Sequence, residues 1–425
     1  MIKINQKEEC CGCSSCAQIC PKHCISMTAD AEGFLYPKVN NSLCIDCNLC
    51  ITACPTQNRL VPTEPFNVFA AYNKNEKVRY ESSSGGIFSL LAEETIAEGG
   101  VVFGAEFTNQ WNVVLAYTDT KEGIDRFRGS KYVQAEVRDT FKDCEQFLKA
   151  GRKVLFSGTP CQIAGLKRFL NAEYNNLLTV DIICHGVPSP KIWQKYLKEE
   201  QEIIKKKNEG KNYWRLRPFS LSNNSLPAIK DIKFRDKSGG WKIFRFILEF
   251  AESSAKNKSN SDLSPYYILN ESFHDNTYMK AFLNNLILRP SCHDCVAKCG
   301  RSNSDLTIAD FWGIQYLIPE IDDDKGISLV MINSKKGREA IKQQSKMLQT
   351  VNIELKKAIQ YNTYWENSSS PHPCRHYFFR HLNRSKSLIN LIEETLQPQH
   401  KTSWKRRIHN ILNKILSLRF TVSRR

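Results

Sequence analysis

Residues 153–170 read KVLFSGTPCQIAGLKRFL, and they decide the fold. Val154, Leu155 and Phe156 form the short apolar run expected of a fully buried strand. Gly158, Thr159 and Pro160 form the turn that breaks it. Helical spacing of apolar residues follows from Cys161 to Leu170. A strand feeding a helix through so short a turn is half of a parallel crossover unit. The alternation continues on both sides. VFAAY (68–72), VVFGAEF (101–107), VVLAYT (113–118) and LLTVDIIC (177–184) predict strands, and 87–98, 140–150 and 192–206 predict helices. Residues 66–333 are therefore expected to form an α/β domain with a largely parallel or mixed sheet.

In this pattern Cys161 opens a helix and Cys184 ends a strand. On parallel neighbours both thiols would lie at carboxyl ends, where open α/β sheets place their ligands. A helix N-terminus also favours a thiolate. For either cysteine alone, burial as a small apolar side chain is the plainer reading. Two loops nearby could meet an anion. Ser82, Ser83, Ser84, Gly85 and Gly86 precede a helix, and Arg128, Ser130 and Lys131 lie in FRGSKYVQ (127–134). Neither is a dinucleotide fingerprint or a Walker loop.

The chain has 17 cysteines, and ten of them fall in its first 54 residues. Cys10-x2-Cys13-x2-Cys16-x3-Cys20-Pro21 is repeated as Cys44-x2-Cys47-x2-Cys50-x3-Cys54-Pro55. This is the spacing of bacterial ferredoxins with two [4Fe–4S] clusters, where three close thiolates wrap one cubane and the fourth reaches the other. Cys10, Cys13, Cys16 and Cys54 are expected to hold one cluster, and Cys44, Cys47, Cys50 and Cys20 the other. Residues 1–62 thus predict an α+β ferredoxin-like module, with a hairpin at 33–37. Cys11 and Cys24 are surplus and read as small, semi-buried thiols without a role. A third thiol group, Cys292, Cys295 and Cys299 with His293, lies in SCHDCVAKCG (291–300).

Composition bounds the rest. The chain has 425 residues, 41% of them hydrophobic. It shows no run of eighteen apolar residues and no apolar signal core, so a cytoplasmic location is expected. The formal charge of +16 suggests nucleic acid at first sight. However, residues 371–425 alone carry twelve Lys/Arg against two acids, and thiolate-bound clusters add negative charge. No nucleic-acid partner is expected. The remainder, 334–425, reads as a helical basic extension. Within it, Trp404, Ile408, Ile411, Ile415 and Leu418 share one stripe of an amphipathic helix over 404–420, flanked by Arg406, Lys414 and Arg419. Such a helix fits a peripheral contact with the inner membrane face, or packing on the protein's own core.

SSSGGIFSLLAE, GSKYVQ, SGTPCQIAGLK, DIICHGVPSP and CHDCVAKCGRSNSDLTIADFWGI occur in the order found in the coenzyme F420 hydrogenase/dehydrogenase beta-subunit family, which residues 1–333 resemble. The resemblance implies an iron–sulfur flavoprotein with FAD in the α/β domain. It implies flavin contacts at Ser83, Ser84, Gly85, Gly86, Ser130, Lys131, Tyr132, Thr159, Gln162, His185, Gly186 and Asp310. It also implies a third [4Fe–4S] cluster on Cys161, Cys184, Cys292 and Cys295, with Cys299 outside the set. Zinc on Cys292, Cys295, Cys299 and His293 stays as the alternative. The family motif Gly-Asp-Phe-Trp-Gly carries Ala309 in its first position here. Reduced ferredoxin or another one-electron donor would feed an oxidoreductase acting on a small two-electron acceptor, F420 being one that the family uses. A non-catalytic electron-transfer subunit serving a partner enzyme is the second expectation. No residue is singled out as catalytic.

Overall fold

A computed structural model describes residues 1–209, 226–251 and 265–397. The predicted amphipathic helix at 404–420 lies outside the described residues.

Thirteen strands make three sheets among the described residues. The N-terminal module holds a hairpin of β1 (Ile25–Ala29) and β2 (Leu35–Val39). The main sheet contains β3 (Asn67–Asn73), β4 (Val101–Phe107), β5 (Val113–Thr118), β6 (Val154–Ser157) and β7 (Leu177–Ile182). After the second sheet, β8 (Ala228–Asp236), β9 (Arg245–Ala251) and β10 (Pro265–Ser272), come β11 (Leu306–Asp310), β12 (Ser328–Ile332) and β13 (Leu348–Asn352). The main sheet runs β13-β3-β12-β11-β7-β6-β4-β5. Its centre, β4, β6, β7 and β11, is parallel, and the strands outside it pair antiparallel. The mixed α/β architecture therefore matches the sequence reading.

The deciding stretch folds for identifiable reasons. Val154, Leu155 and Phe156 are buried between helical layers. Helix Pro160–Leu170 starts with a capping box, in which Thr159 N–H donates to Gln162 Oε1 at 2.9 Å. Asn171 ends it in the left-handed region, a conformation asparagine tolerates better than most residues.

Two expectations need correction. The region after 333 is not simply helical. Helix Lys335–Gln343 is followed by β13, which extends the main sheet beside β3. This edge strand, LQTVN, buries only Leu348, so it lacks the apolar run that marks an inner strand. The sequence reading also did not find β8, β9 and β10. Their alternating pattern lies between two polar stretches, yet Phe234, Phe246 and Leu248 pack against Trp193 and Tyr196 of helix Pro190–Glu209 in the largest core. The polar segment 251–265 falls mostly outside the described residues.

The module is locked to the α/β domain. Arg289 is fully buried. Its guanidinium donates to Cys10 O at 2.8 Å, Leu35 O at 2.8 Å and Gln134 Oε1 at 3.0 Å. Gln18 Oε1 accepts from Phe141 N–H at the start of helix Thr140–Lys149. Arg375 grips Glu32 in the β1–β2 turn at 2.6 Å. At Gly165 a Cβ would lie 2.9 Å from Cys13 Cβ, so helix Pro160–Leu170 can approach this closely only through glycine.

Candidate metal centre and cofactor cleft

The thiols fall into three neighbourhoods. In the first, Cys10, Cys13 and Cys16 interact electrostatically with one another and with Cys54, the last cysteine of the other run. All four are buried. Desolvation pushes the Cys10 thiol up, and the Arg289 guanidinium opposes it. The second neighbourhood is a hollow lined by Cys20, Cys24, Cys44, Cys47 and Cys50. Here Cys50 Sγ accepts from Ile2 N–H at 3.2 Å. Each set thus joins three cysteines of one run to the fourth of the other. Cys24 is neither semi-buried nor isolated: its sulfur lies 3.3 Å from Cys20 Sγ.

The third neighbourhood is built by the sheet. Cys161 follows β6 and Cys184 follows β7, parallel neighbours, so both thiols stand at carboxyl ends. Cys292 and Cys295 come from the 3-10 turn Pro290–Asp294 and its C-cap. All four line one hollow with Cys11, His185, Gly186 and Lys298. Cys292 Sγ accepts from Val187 N–H at 3.4 Å. Burial raises the Cys184 thiol to about 12, with Lys298 pulling the other way. The Lys298 ammonium is itself buried and donates to Cys184 O at 2.8 Å and Tyr364 O at 2.6 Å. Ser368 Oγ accepts from Cys295 N–H at 2.9 Å.

Neither Cys299 nor His293 lines this hollow. His293 Nδ1 meets Ser369 O at 2.6 Å, and Cys299 N–H donates to Trp365 O. Among the described residues no three His, Cys, Asp or Glu side chains converge as a single metal ion requires. The residues present suit a thiolate-bound cluster, whose sulfur ligands sit at four separate corners. Buried thiols ionise only beside strong positive charge, and Lys298 and Arg289 would balance the net negative charge of the loaded group. Sequence reasoning found neither cation: Arg289 is remote in sequence from Cys10, and Lys298, inside the motif at 291–300, carries no spacing signal of its own.

A cleft of about 480 Å3 opens between the main sheet and β8. Ser83, Arg128, Ser130, Lys131, Arg235 and Lys237 line it. Ser83 Oγ accepts from Ser130 N–H at 2.7 Å, which ties the two anion-ready loops together. Burial lowers Lys131 to about 8, partly offset by Glu106. It also lowers Lys237 to about 7, although that ammonium donates to three backbone carbonyls. Arg235 is 7% exposed. Its Nη1 donates to Asp310 Oδ2 and to Tyr132 Oη, while its buried Nε has no partner among the described residues.

Other predicted contacts have different roles. Ser84 Oγ donates to Ile327 O and Gly85 N–H to Ser328 Oγ, so these groups are not free for an anion. Gly85 serves packing instead, since a Cβ there would lie 2.5 Å from Ala71 O. Gly86 caps helix Ile87–Ala97 at φ 79. Thr159 and Gln162 are engaged with each other in their capping box. Asp310, at the carboxyl end of β11, holds Arg235 and accepts from Trp241 Nε1 at 3.1 Å. Trp312 stacks on Trp241 with centroids 5.2 Å apart, and Phe311 is core.

Hollow and cleft are joined by aromatic side chains. Tyr132, next to Lys131, stacks on Phe282 at 4.6 Å, and Phe282 meets His185 at 4.8 Å. His185 Nε2 is bonded to Asn285 Oδ1 at 2.6 Å. Burial lowers its pKa to about 4.

Residues 9–58 match the model of a 4Fe-4S dicluster domain, which defines an iron–sulfur protein. Residues 68–142 match the N-terminal part of the coenzyme F420 hydrogenase/dehydrogenase beta subunit, and residues 151–356 match its C terminus. The chain belongs to this family as an iron–sulfur redox subunit. The F420-reducing [NiFe] hydrogenase complex from Methanosarcina barkeri is similar to it at 17% identity and a TM-score of 0.43, covering 82% of this chain and 94% of that one. No curated protein matches in sequence. No helix among the described residues is long and apolar enough to cross a membrane.

Proposed function

We propose that the chain is a flavin-containing oxidoreductase that collects single electrons at its cysteine-rich module and delivers them in pairs to a small acceptor. Three [4Fe–4S] clusters would be held by Cys10, Cys13, Cys16 and Cys54, by Cys20, Cys44, Cys47 and Cys50, and by Cys161, Cys184, Cys292 and Cys295. FAD would occupy the cleft. The observation that carries this reading is the line from the hollow through His185, Phe282 and Tyr132 to Lys131 at the cleft wall.

The cleft suits the dinucleotide. Lys131 and the unpartnered Nε of Arg235 supply positive charge and a donor for a diphosphate, and Ser130 adds a hydroxyl. Such donors bind phosphate more strongly in a site screened from water. When bound, a flavin supplies the conversion between one-electron and two-electron chemistry. The protein's own contribution is to hold Arg235 through Asp310 and to shield the inner thiols from solvent. Reduced ferredoxin or a similar one-electron carrier is the donor in this account, and F420 is one candidate acceptor.

The test is flavin release. Protein purified anaerobically with intact clusters should yield about one fluorescent flavin per chain on acid precipitation. In Lys131→Gln and Arg235→Gln variants, flavin affinity should fall roughly tenfold or more, the usual scale for a lost charge-assisted hydrogen bond. Flavin-free protein with full iron content would contradict the flavoprotein reading and leave an electron-relay subunit.

A further inference from the structure

Two hydroxyls stand against sulfurs on either side of the gap between the module and the hollow. Thr56 Oγ1 lies 2.9 Å from Cys54 Sγ, in the module's inner set with Cys10, Cys13 and Cys16. The same residue lines the hollow that holds Cys161, Cys184, Cys292 and Cys295, so it stands between the two sets of thiols. On the far side Thr159, the N-cap of helix Pro160–Leu170, brings its Oγ1 to 3.3 Å from Cys161 Sγ. In such a pair either a thiol or a hydroxyl can donate, but a cluster ligand is a thiolate with no proton to give. In the loaded protein both hydroxyls therefore donate to sulfur. The outer set is served differently. Cys50 Sγ receives a backbone N–H from Ile2, and Cys44 Sγ has the Asp46 carboxylate, an acceptor, at 3.7 Å.

We propose that Thr56 and Thr159 are positioning residues for electron transfer: each hydroxyl donates to one ligand sulfur and raises the potential of the cluster behind it. The proposal rests on the reading of these thiols as [4Fe–4S] ligands. Reduction adds one negative charge to a thiolate-bound cubane that is already negative. Burial of Cys10, Cys13, Cys16 and Cys54 makes that charge harder to hold. Hydrogen bonds to the sulfurs help set cluster potentials, and they act more strongly away from water. The outer set, with Cys47 exposed and Cys44 partly so, has solvent for this purpose. The inner set is cut off from solvent and has Thr56 instead. In each step a single electron passes from one cluster to the next, so one is oxidised as the other is reduced, and no bond breaks. An electron that a one-electron donor leaves on the outer cluster then finds the inner one still reducible.

The experiment is an anaerobic potentiometric titration of full-length Thr56→Val and Thr159→Val, followed by electron paramagnetic resonance, with iron and thermal stability measured alongside. Valine keeps the shape and removes the donor. Each variant should keep about twelve irons per chain. In Thr56→Val one cluster potential should fall by about 59 mV, a tenfold shift in its one-electron equilibrium, and the other two should be unmoved. Thr159→Val should lower a different one by a similar amount. Thr56→Ser and Thr159→Ser keep a hydroxyl and should recover most of each shift. Should a valine variant fail to fold, the alanine variant at the same position reads the same loss. Full iron with unmoved potentials would overturn the proposal. Equal shifts in the serine and valine variants, as packing alone would give, would also overturn it, and so would iron falling to about eight per chain, which would make the hydroxyl a support for the cluster and not a control of its potential. Failure of the underlying reading is separable. Unchanged iron in Cys292→Ser with Cys295→Ser would remove the cluster that Thr159 serves, while Thr56 would still be tested on the module.

Discussion

The two halves of the cysteine-rich module share one spacing but not one environment. Cys10, Cys13, Cys16 and Cys54 lie beneath helix Pro160–Leu170, with Arg289 and Cys11 between them and the α/β domain. On the other half, Cys47 is exposed and Cys44 partly so. It is flanked by three large apolar side chains in solvent, Leu43 at 53%, Ile45 at 57% and Leu49 at 42%. Identical motifs therefore specify ligands, while the surrounding domain specifies direction. One half is open to solvent and the other faces the hollow.

Removing the far end of this path should have the largest effect. Cys292→Ser with Cys295→Ser should lower iron from about twelve to about eight per chain. Transfer to any two-electron acceptor should stop, while the module keeps both of its clusters. Iron analysis with a dye-linked assay reads both. If the double variant lost no iron, the inner half would face nothing.

Next comes the joint between the halves. Arg289→Ala leaves Cys10 O, Leu35 O and Gln134 without their cation. Its three hydrogen bonds, each involving a charged donor, predict a loss of roughly 3 kcal/mol or more. Limited proteolysis should then cut the connecting segment at 59–66 sooner than in the wild type. An unchanged digestion rate would show that docking does not depend on this side chain.

The open half makes a narrower prediction. Ile45→Glu should raise KM for a protein donor several-fold, as expected when a charge enters an apolar contact, but leave reduction by a small dye unchanged. Equal effects on both donors would contradict a docking role for this face.

Only part of this arrangement was legible in the sequence. The parallel core was readable because β6 and β7 are short apolar runs closed by strong turn signals, and the cluster spacing was readable because its chemistry demands local ligands. The hollow required bringing residues 161, 184, 292 and 295 together, which no local period reveals. Only the family resemblance named all four, and the structure gathers them in one hollow. The serine-glycine loop misled because hydroxyls and N–H groups that look free in sequence are used by Ile327 and Ser328, residues of a distant part of the chain.

The smallest predicted effect concerns Asp181, buried under the hollow. Desolvation raises its carboxyl to about 6 against an ordinary 3.8, although Ser302 and Thr307 hydroxyls donate to it. An acid raised on folding adds stability below its unfolded pKa, and that contribution is lost as pH rises through about 6. Asp181→Asn should therefore gain on the wild type by roughly 1–2 kcal/mol between about pH 5 and about pH 7.5. Denaturation midpoints measured in parallel would show it, and a gap independent of pH would argue that Asp181 ionises normally.

The central claim is that the chain stores electrons at three clusters and a flavin, entered from the open half of the module. Anaerobic reductive titration of the full-length protein tests it most directly. The account predicts uptake of about five electrons per chain, one at each cluster and two at the flavin. Uptake of about two, the capacity of the module alone, would contradict it.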